Sequence, residues 1–201
     1  MNNNSDKEYG INEMLLRLIQ PYDFKAREQL MHDLLAHPEK RTIHIWNGMH
    51  LDDVEAHNIC KQCGLNMVVQ EVDFADISEA SVYICKRQLK RSDIASEYRK
   101  YLIGQRFFCE QAIRSDAKSA DSKYAVASAI ASELYISTGT VLKYSVYANA
   151  MNTIFDQDIM FAKSILTGKV RISHENTIEL SRLKPEEILW KPVIRCFLKM
   201  H

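Results

Sequence analysis

The sequence predicts an α/β domain followed by an all-α domain. Short β-branched segments alternate with amphipathic helical segments up to about residue 92, and strand patterns almost vanish beyond it. The polar stretch RSDAKSADSK at 114–123 is the best linker candidate. We therefore predict a disordered tail over 1–8, an α/β domain over 9–92, a connecting helix and linker over 93–118, and an all-α helix-turn-helix domain over 119–201.

The N-terminal domain opens with a helical pattern at 22–36, where four apolar residues recur at helical spacing: Phe24, Leu30, Leu34 and Leu35. The segment IHIW at 43–46 alternates like a strand, and Asn47-Gly48 after it is a strong hairpin signal. A helix is predicted from Asp53 to Cys63, ended by Gly64. A strand over 66–74 and a helix over 76–90 complete the alternation.

The C-terminal half begins with a predicted helix over 94–113 and then contains KYAVASAIASELYISTGTVLKY. The inner face of its first helix is predicted to be Val126, Ala127, Ile130, Ala131 and Leu134. Ile136 is expected to be buried at a sharp turn, Ser137 to cap a second helix, and Val141 and Tyr144 to face inward. This pattern predicts a helix-turn-helix, although Tyr135 occupies the turn position that is usually glycine.

In a helix-turn-helix, the early turns of the second helix enter the major groove. We therefore predict that the following residues contact DNA: Ser137, Thr138, Gly139, Thr140 and Lys143. The alternative interpretation is a plain helical hairpin in a bundle.

The net charge of the whole chain does not indicate nucleic-acid binding, since basic and acidic residues both number 26. Residues 86–106, however, hold seven basic against two acidic residues, and Lys90 and Arg91 there are candidate phosphate contacts. The alternative for this segment is a solvated helix face.

Several other classes of protein are disfavoured by the sequence. It contains no run of about 18 apolar residues and no signal-peptide pattern, so we expect no membrane association. Five scattered cysteines favour reduced thiols in the cytoplasm. We find no nucleophile-elbow, phosphate-loop or metalloprotease motif, and we expect a protein that is not an enzyme.

The segment HLDDVEAHNICKQCG at 50–64 concentrates histidine, aspartate and cysteine. A structural zinc site normally needs four ligands, and Cys60 and Cys63 form a single pair on a predicted helix. A redox dithiol would instead begin a helix directly after a strand. We therefore expect neither a bound metal nor a cofactor.

Over nearly its whole length the chain resembles the ParB-like family of DNA-binding proteins, and more closely a branch found on mobile elements of Gram-positive bacteria. The segments that carry this resemblance are LIQPYDFKAREQLMHDLLAHP, IHIWNGMHLDD, RQLKRSDIASEYRKYLIGQRF, IASELYISTGTVLKY and ILTGKVRISHENTIELSRL. The resemblance implies a ParB-like α/β domain followed by a helix-turn-helix domain of the kind found in KorB.

The same resemblance implies a degenerate nucleotide-binding loop. Asp52 matches the leading aspartate of the family's loop, while Asp53 stands for its glycine and Val54 for its histidine. Ala56 stands for the arginine and His57 for the aromatic residue. Both cations are thus absent, and Asp53 would itself satisfy the N-terminus of the helix and repel a phosphate. We expect no CTP-dependent switch and no nuclease activity.

Together these observations predict a cytoplasmic, sequence-specific protein that binds double-stranded DNA as a homodimer. Such a protein would act as a transcriptional regulator or as a partition factor of a plasmid or mobile element. A partition ATPase or another mobile-element protein is a candidate partner. The alternative is a protein-binding adaptor that keeps the ParB-like shell without affinity for DNA or nucleotide.

Overall fold

A computed structural model describes residues 8–114 and 120–183 of the chain. The predicted tail up to residue 7, the predicted linker residues 115–119, and residues 184–201 of the predicted C-terminal domain lie outside the described residues. The chain divides between Asp93 and Ile94 into two compact units. The architecture is mixed α and β, with one small sheet and a majority of helices, which is compatible with the predicted α+β class.

The helices and strands of the first unit are β1 (Gly10–Ile11), α1 (Glu13–Leu16), α2 (Phe24–Ala36), β2 (Thr42–Trp46), β3 (Met49–His50), α3 (Val54–Gln62), β4 (Val68–Glu71) and α4 (Ile77–Gln88). The four strands form one sheet in the order β1-β3-β2-β4. Strands β2 and β3 are antiparallel, whereas β1 pairs with β3 and β4 with β2 in parallel.

The hairpin between β2 and β3 forms where the Asn-Gly signal predicts it. Asn47 and Gly48 have φ angles of 49° and 71°, and two successive positive values define the turn that matches the twist of a tight hairpin. The turn sets the register in which Ile45 lies opposite His50. The loop that follows is therefore held against the middle of the sheet.

One core cluster of the first unit is formed by residues of α2, β2 and α3. Its buried members are Leu34, Ile43, Ile45, Ala56, Ile59 and Cys60. The apolar face predicted for α2 is only partly correct, because Phe24 is 84% exposed and Leu35 is 47% exposed. Phe24 is the first residue of α2 and lies outside the core. Helical spacing alone does not show how far along a helix the core extends.

The second unit is entirely helical within its described residues, and no strand occurs over 120–183. Its elements are α5 (Ser96–Ile113), α6 (Ala120–Leu134), α7 (Thr138–Gln157), α8 (Ile159–Leu166) and α9 (His174–Ser181). Helix α7 is central, since it packs against α5, α6, α8 and α9. The helix predicted over 94–113 is observed as α5, which belongs to this unit.

Helices α5 and α7 approach each other closely at Gly104. A Cβ atom at this position would overlap the carbonyl oxygen of Tyr144 and lie 2.5 Å from the Cβ of Ala148. A little further along α5, the buried Arg106 donates to Glu110, at 2.6 Å, and to Glu133 of α6. These contacts hold α5 against both helices of the predicted helix-turn-helix.

No single helix in the described ranges is long and apolar enough to cross a membrane. Helices α6 and α7 meet such a criterion only when they are taken together, and they are bent by 106° at the turn between them.

Candidate nucleic-acid interface

A sharp turn joins α6 to α7 at the predicted position. The two helices cross at 106°, within the range of about 90–120° that is typical of the motif. Tyr135 has a φ of 55° and is 96% exposed, and the Ile136 N–H donates to the carbonyl of Ala131 at 3.0 Å. This is the Schellman arrangement, in which a residue in left-handed conformation ends a helix. Tyr135 therefore adopts the conformation that glycine usually supplies there.

The start of α7 is capped by Ser137, as the sequence predicts. Its hydroxyl accepts from the Thr140 N–H at 3.0 Å and lies 2.8 Å from the Thr140 hydroxyl. Because this contact satisfies one of the free N–H groups at the helix start, it fixes where α7 begins. The hydroxyl of Ser137 thus has a structural role within the motif.

The predicted inner face of the motif is largely confirmed. Val126, Ala127, Ile130 and Ala131 of α6 are buried, and so is Val141 of α7. Leu134, Ile136 and Tyr144 are half-buried. These three residues are therefore more exposed than the prediction of an inner face implies. The prediction did not name the other buried positions of α7, which are Ser145, Tyr147, Ala148, Ala150, Met151, Ile154 and Phe155.

The predicted DNA-contacting residues lie at the start of α7 and differ in exposure. Ser137, Gly139 and Lys143 are exposed, whereas Thr138 and Thr140 are half-buried. A Cβ atom added at Gly139 would meet nothing closer than the Ser137 hydroxyl, at 3.8 Å. The fold therefore does not require glycine at this position, although glycine weakens a helix.

Lys143 is accompanied by an acidic residue of α9. Its ammonium lies 3.7 Å from the Glu175 carboxylate, and the two side chains are 57% and 71% exposed. The neighbouring His174 ring is stacked on the buried Tyr147 ring of α7, with centroids 5.2 Å apart and an angle of 20°. Ser173 caps α9 by accepting from the Asn176 N–H at 3.1 Å. The first turn of α9 is thereby fixed beside the second turn of α7.

The basic segment 86–106 extends across both units, and most of its arginines are engaged within their own unit. In the first unit, Arg91 forms an ion pair with Asp93 at 2.6 Å and donates to the Gln20 carbonyl at 2.7 Å. Its guanidinium lies over the Tyr22 ring, 3.9 Å from the centroid, and its side chain is 11% exposed. Lys90 is exposed. Arg91 is thus part of the fold, and Lys90 is the accessible cation of the predicted pair.

The altered loop 52–57 is held by an ion network that the sequence analysis did not foresee. Asp53 stands just before α3, but its carboxylate does not cap that helix. It accepts from the His44 N–H at 2.9 Å and from the Arg87 guanidinium at 2.6 Å. The expectation that Asp53 satisfies the N-terminus of the helix by itself was therefore wrong. Its carboxylate oxygens instead accept hydrogen bonds from His44 of β2 and Arg87 of α4.

Arg87 also binds Asp52, with its Nε 2.9 Å from the nearer carboxylate oxygen. Burial raises the pKa of Asp52, and the negative charge of Asp53 raises it further. One arginine of α4 thus serves two adjacent carboxylates at the start of α3. A phosphate at the start of α3 would be repelled by these two carboxylates, and the Arg87 guanidinium is already paired with them.

His57 takes part in a second buried contact, with His50 of β3. Nδ1 of His57 lies 3.0 Å from Nε2 of His50, and the Tyr9 ring packs on both imidazoles. Burial and the neighbouring His57 lower the pKa of His50 to about 4. Of the remaining loop residues, Ala56 is buried and Val54 is half-buried, and Glu55 forms an ion pair with Arg27 at 2.5 Å. The loop is packed as part of the core.

The two cysteines of this segment have different environments. Cys60 is fully buried in the core, and Cys63 is exposed at the end of α3. Within 8–114 and 120–183 we find no group of three histidine, cysteine, aspartate or glutamate side chains arranged to hold a metal ion.

No family model, curated protein or solved structure matches the chain.

Proposed function

We propose that the protein is a sequence-specific, non-enzymatic DNA-binding protein of the ParB-like type. It acts as a transcriptional regulator or as a partition-type factor of a plasmid or mobile element. The observation that carries this proposal is the α6–α7 turn, in which a left-handed Tyr135 and a capping Ser137 join two helices at 106°. An ordinary helical hairpin would instead bring its two helices close to antiparallel.

The chemistry of the first two turns of α7 also supports DNA binding. Thr138, Thr140 and Lys143 offer hydroxyl and ammonium groups, which hydrogen-bond phosphates and base edges in the major groove. Gly139 lets a sugar-phosphate backbone approach the start of the helix closely. We propose that the protein is a cytoplasmic homodimer reading two half-sites, with a partition ATPase or another mobile-element protein as a candidate partner.

The altered loop is proposed to bind no nucleotide. Asp52 and Asp53 already use Arg87, and their charges would repel a triphosphate at the start of α3. Any regulation of DNA binding would then act without nucleotide hydrolysis.

A second candidate function is that of a protein-binding adaptor. The balanced overall charge and the internal pairing of Arg87, Arg91 and Arg106 favour it, because these guanidinium groups are engaged by acidic partners. An adaptor would keep the shell of the fold and would show no affinity for duplex DNA.

Binding to labelled duplex DNA at moderate salt separates the two functions. We expect a pool of random duplexes to be retained weakly and a subset to be enriched over successive rounds of selection. Addition of CTP should leave the affinity for the enriched duplex unchanged. No retention of any duplex would support the adaptor and contradict the proposal.

A further inference from the structure

Strand β4 is an edge of the sheet in the first unit, and within the described residues no further strand lies beyond it. The N–H groups of Val68 and Val72 are used on the β2 side, where each donates to a carbonyl oxygen at 2.8 Å. Successive residues of a strand direct their N–H and C=O groups to opposite sides, so those of Val69 and Glu71 point away from β2. This edge therefore presents backbone donors and acceptors to a further strand.

The composition of β4 lacks the residues that usually keep an edge strand from pairing. Proteins protect such edges with lysine, proline or bulges, or make the strand very short. Strand β4 reads Val-Val-Gln-Glu, and residues 66–74 around it contain neither lysine nor proline. Val68 is 64% exposed although it is β-branched and apolar. The other edge of the sheet, β1, has only two residues, so β4 is the edge suited to accept another strand.

We propose that β4 pairs with β4 of a second copy of this chain, in antiparallel orientation about a two-fold axis at Gln70. The two four-stranded sheets then become continuous across the dimer. The proposal assigns an interface to the homodimer of the proposed function and in that respect rests on it. The pairing itself depends on β4 alone and needs no DNA.

Backbone polarity and charge select this register. In an antiparallel pair, residues that direct their N–H and C=O groups toward the partner lie opposite each other. With Gln70 on the axis, Val69 lies opposite Glu71 of the second copy, and both outward-pointing residues of β4 are paired. With Glu71 on the axis, two like charges would face each other, which destabilises a pair of strands. With Val69 on the axis, the partner of Glu71 would be Met67, which lies outside β4.

The side chains of β4 complement themselves in this register. Val68 lies opposite Val72 of the second copy, so an exposed apolar side chain meets a half-buried one. The Gln70 amide lies opposite its own copy, and an amide offers both a donor and an acceptor to an identical group. Glu71, the charged residue of β4, lies opposite an apolar residue. This self-complementarity favours a second copy as the occupant of the edge.

The interface between two such short strands is small. Stable complexes bury about 1,200–2,000 Å² of surface, which is more than two four-residue strands provide. We therefore expect a weak dimer that dissociates on dilution. Sedimentation equilibrium of the full-length protein without DNA, over a wide range of concentrations, measures its dissociation constant.

Exchange of charge at Gln70 tests the position of the axis. Gln70→Lys and Gln70→Glu each place like charges opposite one another, so each variant alone should dimerise roughly fivefold more weakly than the wild type. An equimolar mixture of the two places opposite charges there and should restore dimerisation. Gln70 is exposed, so both variants should fold like the wild type. Gln29→Lys makes the same change at an exposed glutamine of α2 and should leave dimerisation unchanged.

Proline at Glu71 tests the backbone pairing. Glu71→Pro removes an N–H group that points away from β2, so the hydrogen bonds between β4 and β2 are kept. Dimerisation should be lost in this variant, whereas Glu71→Gln keeps the N–H group and should dimerise like the wild type. Melting curves check the fold of each variant. The exchange of charge at Gln70 tests the proposal even if Glu71→Pro fails to fold.

Three results would overturn this pairing. The first is a wild-type protein that stays monomeric at the highest concentration. The second is a dimer that the changes at Gln70 and Glu71 leave unaffected, because the copies would then meet at another surface. The third is a mixture of Gln70→Lys and Gln70→Glu that associates no better than either variant alone. None of these results decides the proposed function, which is tested separately by binding to duplex DNA.

Discussion

Arg87 of α4 binds Asp53 at the start of α3, with 2.6 Å between the guanidinium nitrogen and the carboxylate oxygen. The same guanidinium binds Asp52, and the two carboxylate side chains are only 10% and 5% exposed. Two nearly buried negative charges thus depend on one cation from a distant part of the sequence. The contact fixes the altered loop and ties α4 to α3.

Arg87→Ala should destabilise the first unit strongly. Removal of one partner of a buried ion pair leaves an uncompensated charge and typically costs about 3–5 kcal/mol. Arg87 is one-third exposed, so we expect about 2–4 kcal/mol in urea unfolding. Lys86→Ala, at an exposed neighbouring position, should change stability by less than about 0.5 kcal/mol. Equal stability of the two variants would show that the network does not hold the loop.

The His50–His57 contact should make stability depend on pH. The folded protein keeps His50 neutral down to about pH 4, whereas an unfolded histidine takes up a proton near pH 6.5. The contribution of His50 is therefore present above about pH 6.5 and is lost as the pH falls toward 4. Its size is roughly 2–3 kcal/mol.

His50→Gln isolates this contribution from that of Asp52. Because the pKa of Asp52 is raised, that group opposes the trend over part of the same pH range. The free energy of unfolding should fall less steeply between pH 6.5 and 4.5 in His50→Gln than in the wild type. Parallel pH profiles for the two proteins would argue against the assignment.

Gly104 and Gly139 of the second unit should respond oppositely to alanine. Gly104→Ala should destabilise by several kcal/mol or prevent folding, because its Cβ would overlap the Tyr144 carbonyl. Gly139→Ala meets open space, so it should stabilise α7 by about 0.5–1 kcal/mol while weakening DNA binding. Thermal melts and binding assays on both variants check this. Unchanged DNA affinity in Gly139→Ala would remove this glycine from the interface.

The sequence predicted the features of the fold that depend on neighbouring residues. The hairpin at Asn47-Gly48 and the cap at Ser137 follow from local conformational preferences. The left-handed backbone of Tyr135 runs against the preference of tyrosine and was expected only from its place in the turn between two helices. The helix at 96–113 likewise follows from its pattern.

The contacts that the sequence did not predict join residues far apart in the chain. Arg87 reaches a carboxylate 34 positions away, and Lys143 meets Glu175 on a different helix. Spacing along one element contains no information on such pairs. The one available signal was that two adjacent acids, Asp52 and Asp53, would need a cation if they were buried. Hydrophobic spacing also misled at Phe24, because it cannot show where the core ends.

Lys90 should contribute to DNA binding through phosphate, and Arg91 should not. Each phosphate contact adds about 0.9 to the slope of log affinity against log salt on duplex DNA. Since Arg91 is engaged by Asp93, Gln20 and Tyr22, we expect Lys90→Ala to reduce the slope by about one. Arg91→Ala should instead lower the melting temperature of the free protein. An unchanged slope in Lys90→Ala would show that this residue is solvated and makes no contact with DNA.

The central claim is that α7 reads sequence, and fluorescence anisotropy on two duplexes tests it most directly. One duplex is that enriched from the random library, and the other has the same composition in scrambled order. The wild type should bind the enriched duplex about 10³-fold more tightly or better. Lys143→Ala and Thr140→Ala should each reduce this ratio by roughly tenfold with little change in melting temperature, although the Thr140 hydroxyl also lies 2.8 Å from the Ser137 hydroxyl. Lys61→Ala, an exposed lysine of the first unit, is the control for loss of charge. Val141→Ala should lower stability by roughly 0.5–3 kcal/mol, because Val141 is buried. Equal affinity of the wild type for the two duplexes, or binding to neither, would contradict the account.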